Sequence, residues 1–178
     1  EPLLFPPGSQ RRYSNGGYIV LGLIVEKASG QGYFDYVRDH VYAPAGMTAA
    51  GHIEADVPEA GVASGYTRNW GGGEHGKEPR RSNIYSRPAR GSSAGGGYAT
   101  AVDLFRFAMA LRAGKLLGAL GGEWFAGPQG YAGGAPGINA ELEMDPVPGW
   151  TVVVMSNYDP PAAGAMAQRI AAVLRRIR

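Results

Sequence analysis

The chain has 178 residues, with 44% hydrophobic and 18% charged side chains, so it can bury a core and is not a disordered polymer. A net charge of +2 is too small to imply a nucleic-acid or anionic-membrane partner, and the absence of cysteine excludes disulfides and thiolate chemistry. No run of 18 apolar residues is present to span a membrane.

The 29 glycines and 13 prolines predict many turns and long loops between a few regular elements. Residues 1–12 read as extended loop, because Pro2, Pro6, Pro7 and Gly8 oppose a regular helix. Tyr13-Ser14-Asn15 then precedes an apolar helix over 16–29. Either Ser14 or Asn15 can accept hydrogen bonds from its first free N–H groups, and Gly30 suits its left-handed end. By itself the tripeptide is a helix cap. The helix is apolar nearly all round, which predicts burial on most sides. A second helix over 33–42 places Tyr33, Tyr36, Val37 and Val41 on one face, with Pro44 as its stop.

Residues 48–97 read as a polar surface excursion. Gly71-Gly72-Gly73 and Gly95-Gly96-Gly97 bracket Glu74, His75, Lys77, Arg80 and Arg81, with a short strand at 62–66. Thr100 and Asp103 make a shortened capping box for a helix buried through Leu104, Phe107, Ala108 and Leu111, closed by Gly114.

After Leu117 the period changes to two. Ile138, Ala140, Leu142 and Met144 alternate with polar residues, the pattern of a half-buried strand. A loop at 145–149 holding Pro146 and Pro148 leads to Trp150–Met155, an apolar run typical of a central strand. The two should form an antiparallel hairpin, joined by a less regular strand at 129–135. A last helix over 161–177 carries Met166, Ile170, Val173, Leu174 and Ile177 on one face, expected to cover the sheet. Its Arg175, Arg176 and Arg178 suit the negative end of the helix dipole. The expected fold class is therefore α+β: about three antiparallel strands covered by a C-terminal helix, plus a helical region.

Several stretches, in order, resemble one family. They are Phe5-Pro6-Pro7-Gly8-Ser9, Tyr13-Ser14-Asn15-Gly16-Gly17-Tyr18, Leu21-Gly22, Glu26-Lys27-Ala28-Ser29-Gly30 and Pro44-Ala45-Gly46-Met47. Ala94 to Thr100 with Asp103-Leu104, Gly133 to Gly137, and Val153 to Asn157 complete the series. Together they resemble the serine β-lactamase-related superfamily, which includes class C β-lactamases, D-alanyl-D-alanine carboxypeptidases and esterases. The resemblance implies a partial β-lactamase/transpeptidase-like fold. It divides the chain into a helical part over 1–117 carrying Tyr-x-Asn, and strands with a C-terminal helix over 118–178, together one incomplete domain.

That family uses a Ser-x-x-Lys nucleophile motif, a Tyr-x-Asn, and a Lys-Thr-Gly or His-x-Gly on the strand lining the site. The resemblance assigns Tyr13 the proton shuttle, a role that needs help from a neighbouring cation because an ordinary phenol titrates near about 10. It assigns Asn15 the grip on a substrate carbonyl, and Ser14 a capping role. The third motif aligns with Tyr131-Ala132-Gly133, which lacks both the cation and the hydroxyl. Tyr131 and Gly133 would line the substrate site, and Gly134 would offer an oxyanion-binding N–H. The first motif is absent: Ile24, Glu74 and Arg112 stand three residues before Lys27, Lys77 and Lys115.

These features imply a piece of a longer serine acyl hydrolase acting on an ester, amide or β-lactam through an acyl-enzyme. The alternative is a non-catalytic binding protein on the same scaffold. A neutral acyl substrate is expected because the third motif has no cation. A second copy, paired or swapped, is expected to cover the sheet edge and apolar face that a partial fold exposes. The resemblance implies a periplasmic or secreted protein. No metal or cofactor is implied: His40, His52 and His75 lack ligand spacing, there is no Gly-x-Ser-x-Gly elbow, and the glycine runs lack a phosphate-loop context.

Overall fold

A computed structural model describes residues 2–57, 60–69, 77–118, 120, 127–147 and 149–177. Helix α1 spans Asn15–Ser29. Ser14 supplies the cap, its Oγ accepting from the Gly17 N–H at 3.2 Å, and Gly30 ends the helix at φ 71°. The next helical stretch changes pitch along its length. It begins as α2 (Tyr33–Val37), widens to a π-turn over Arg38–Tyr42, and returns to a last turn, α3 (Ala43–Ala45). Pro44 therefore does not stop it. In the wide turn the Ala43 N–H reaches the Arg38 carbonyl, Pro44 has no N–H to place, and Gly46 in the left-handed region is the true end.

Two small ribbons occupy the excursion. Strand β1 (Gly51–His52) pairs antiparallel with β4 (Gly97–Tyr98), and β2 (Tyr66–Thr67) with β3 (Arg81–Ser82). The expected strand at 62–66 is thus displaced towards Thr67, whose side chain is fully buried. Gly71-Gly72-Gly73, Glu74 and His75, like Pro148, lie outside the described residues. Helix α4 (Ala101–Arg112) carries a complete capping box, with the Asp103 N–H donating to Thr100 Oγ1 at 3.0 Å and the Thr100 N–H to Asp103 Oδ2 at 3.1 Å.

Strands β5 (Gln129–Ala135), β6 (Ile138–Asp145) and β7 (Trp150–Ser156) form an antiparallel sheet in that order. Alternation sends Leu142 and Met144 to one face, where they pack with Ala108 and Leu111 of α4. The other face receives α5 (Ala162–Leu174). The architecture is α+β, with helices on both faces of a three-stranded sheet.

Three faces differ from the sequence reading. The central strand is β6; the apolar strand β7 has no strand on its outer edge among the described residues. Helix α5 does cover the sheet, but through Ala163, Ala167 and Ala171, all at 0% exposure. Small side chains at i, i+4 and i+8 let the helix lie close, and this turns Met166, Ile170 and Val173 outward. In α1 only Gly22 is buried, against Ser93 and Tyr33, whereas Val20, Leu21, Leu23 and Ile24 are exposed. Periodicity identifies an apolar helix; it does not say what covers it. Among the described residues, no helix is long and apolar enough to cross a membrane.

Candidate functional site

The Ser14 cap fixes the backbone at the start of α1, and that leaves its two flanking residues free for other bonds. Tyr13 Oη donates to Asn15 Oδ1 at 2.8 Å, and both side chains are exposed. This bond engages the amide oxygen of Asn15 and not its two N–H donors. One turn on, Tyr18 lies with its ring centroid 5.6 Å from that of Tyr13.

Burial raises the Tyr131 phenol above its ordinary pKa, and the nearby Tyr18 adds to the rise. Tyr131 is therefore a neutral hydroxyl at physiological pH. Tyr18 thus pairs with the Tyr13 ring and adds to the rise at Tyr131. It was missed from sequence because it follows Gly16-Gly17 and reads as part of the buried face of α1.

Two networks hold β5. Asn139, buried on β6, donates from Nδ2 to the Gly133 carbonyl at 3.0 Å and accepts from the Ala163 N–H at 2.7 Å, locking strand and α5 together. Gly134 tolerates no side chain: a Cβ there would lie 2.8 Å from Pro160 Cγ. At Gly133 a Cβ would meet open space.

The second network clamps the β5–β6 turn. Asp159 accepts from Thr67 Oγ1 at 2.6 Å and from the N–H groups of Arg68 and Gly137, each at 2.8 Å. Buried Asn83 donates to the Pro136 carbonyl at 2.9 Å. Burial alone would raise the Asp159 carboxyl; the bonds from Thr67, Arg68 and Gly137, with the charge of Arg80, outweigh it and hold the pKa below its ordinary value. Neither Asp159 nor Asn83 carries a local signal, because their partners lie up to 92 residues away.

The described residues contain no cluster of three or more His, Asp or Glu side chains able to hold a metal. The chemistry offered is that of hydroxyls, one amide and backbone donors, suited to proton movement and the grip of a carbonyl.

Comparison with known proteins identifies the family and the fold. The chain is 34% identical over 104 residues to penicillin-binding protein PbpX of Bacillus subtilis, covering 58% of this chain and 25% of that one. It is 45% identical over 47 residues to a D-alanyl-D-alanine carboxypeptidase of Escherichia coli K12, covering 26% of this chain and 11% of that protein. The crystal structure of a penicillin-binding protein from Bacillus halodurans superposes with a TM-score of 0.84 at 28% identity, over 96% of this chain and 59% of its own. The chain thus spans less than two thirds of the length of these relatives. The family model described as Beta-lactamase matches residues 1–121, well over half of the sequence. On that match the chain belongs to the Beta-lactamase family.

Proposed function

We propose that this chain supplies two walls of a serine acyl-hydrolase cleft whose nucleophile lies in sequence outside these 178 residues. Tyr13 moves the proton of that nucleophile, and Asn15 grips the substrate carbonyl with the N–H donors that the Tyr13 bond leaves unengaged. Gly134 offers a backbone N–H to the oxyanion, and Tyr131 with Gly133 lines the acyl site. The observation that supports this reading is the hydrogen bond from Tyr13 Oη to Asn15 Oδ1, which ties the two residues together at the start of α1 and leaves the Asn15 N–H donors available for a carbonyl. The altered third motif favours one rival, a binding protein on the same scaffold, and catalysis by the longer protein separates the two.

The substrate is a neutral acyl compound. Where relatives place a cation, Tyr131 presents an uncharged hydroxyl that donates one hydrogen bond but does not neutralise a carboxylate. For the longer protein, kcat/KM on p-nitrophenyl butyrate is expected to exceed that on a carboxylate-bearing cephalosporin by about tenfold or more. Faster turnover of the cephalosporin would overturn this preference, and turnover of neither would favour the binding protein.

A second copy covers the apolar surface of the isolated chain. Met166, Ile170, Val173 and Ile177 are exposed on and just beyond α5, beside the open edge of β7. Light scattering is expected to give a dimer at micromolar concentration that Ile170→Glu disperses. A monomer at that concentration would contradict the pairing.

A further inference from the structure

Asn15 is followed by Gly16, and it alone of the chain's asparagines precedes a glycine. Asn69, Asn83, Asn139 and Asn157 are followed by Trp70, Ile84, Ala140 and Tyr158. The side-chain carbonyl carbon of an asparagine is an electrophile within reach of the backbone nitrogen of the next residue. A side chain on that next residue hinders the approach, and glycine has none. Asn83 and Asn139 are also withheld by burial, and the exposed Asn157 is tied through Nδ2 to the Ser64 carbonyl at 3.0 Å.

Three features of the fold leave Asn15 open to this attack. Its side chain is exposed. It is the first residue of α1, where a helix frays at low cost, and the Gly16 N–H has no acceptor among the described residues. The Gly17 N–H goes to Ser14 Oγ, and the Tyr18 N–H is the first to close a helical bond, to the Ser14 carbonyl at 3.2 Å. Finally, Tyr13 Oη donates to Asn15 Oδ1 at 2.8 Å. That bond polarises the amide carbonyl and steadies the negative charge its oxygen gains when a nitrogen adds.

We propose that Asn15-Gly16 is a self-modification site, at which the Gly16 nitrogen displaces ammonia from the Asn15 amide. The bond from Gly16 N to Asn15 Cγ forms, the Cγ–Nδ2 bond breaks, and the Gly16 proton leaves with the ammonia. Water then opens the cyclic imide at either carbonyl. This restores the Gly16 N–H and leaves an aspartate or isoaspartate carboxylate. The positive end of α1 accommodates the new charge, while the two N–H donors of Asn15 are gone. The consequent loss of the carbonyl grip rests on the acyl-hydrolase reading; the modification itself does not.

The test is incubation of the full 178-residue chain in mildly alkaline buffer, followed by peptide mapping with mass spectrometry and isoaspartate detection. Conversion is expected at Asn15 ahead of every other asparagine, and Gly16→Ala should lose it. That variant should fold, because a Cβ on Gly16 would meet only Ser14 Oγ, at 3.4 Å. In the longer protein, turnover should fall in step with Asn15 conversion and hold steady in Gly16→Ala. Asn15 left intact when a free peptide of residues 10–20 has converted would overturn the proposal, as would undiminished conversion in Gly16→Ala. Conversion at Asn15 with full turnover would leave the modification standing and remove Asn15 from the carbonyl grip.

Discussion

Replacing Asp159 with alanine is expected to destabilise the chain by about 3 kcal/mol, because three donors lose a charged acceptor at once. For a chain of this size that lowers Tm by roughly 6–12 °C. The donors are Thr67 Oγ1 and the N–H groups of Arg68 and Gly137, and they join segments far apart in sequence. The loss should be felt in β5, since Gly137 forms the turn that ends it. The neighbouring packing is too tight to adapt: a Cβ on Gly137 would lie 2.8 Å from the Tyr66 N, and one on Gly65 would lie 2.5 Å from the Gly137 carbonyl oxygen.

The same carboxylate sets an acid limb. Its folded pKa is lowered, so its stabilisation is present above the unfolded value of about 3.9 and is lost as pH falls through the folded value. Asp103 acts with the same sign. Burial opposes its ionisation, but bonds from Thr100 and Ala49 and the charge of Arg106 lower its pKa overall. Urea unfolding between pH 6 and pH 2 should show the unsubstituted chain losing stability below about pH 4, and Asp159→Asn losing less over that range. Parallel curves for the two would show that Asp159 carries no such linkage.

The larger kinetic effect is expected at Tyr13. In the longer protein, Tyr13→Phe should slow acylation by about 10²–10⁴-fold, the usual contribution of a positioned proton carrier. That is about 3–5 kcal/mol of barrier. Phenylalanine keeps the ring beside Tyr18 and removes only the hydroxyl that donates to Asn15. Stability should therefore change little, which separates a chemical role from a packing one. A variant that folds normally and acylates at the unsubstituted rate would remove Tyr13 from the mechanism.

How much of this could be read from the sequence depends on the range of the interactions. Strands β6 and β7 announce themselves because alternation and β-branched runs are local, whereas the glycines of β5 weaken its pattern, and Ser14, Gly30 and Thr100 mark helix ends through bonds within four residues. Tyr13 and Asn15 are singled out by the motifs around them in the chain, and the structure shows them bonded to each other. The outward stripe of α5 was misread, because the large residues at Met166, Ile170 and Val173 form as good a helical face as Ala163, Ala167 and Ala171. Close approach to a sheet selected the small one. Asn83, Asn139 and Asp159 escaped notice because their roles exist only once distant segments meet. Pro44 was misread because the π-turn before it leaves no N–H to be missed.

The central claim is that these residues are cleft walls and that the nucleophile lies in sequence beyond them. It is tested most directly by treating this chain and the longer protein with a fluorophosphonate probe and mapping the adducts by mass spectrometry. The account predicts no adduct on any serine of the 178 residues in either sample, and one adduct on a serine elsewhere in the longer protein, formed more slowly in Tyr13→Phe. An adduct on Ser14 or any other serine of this chain would contradict it.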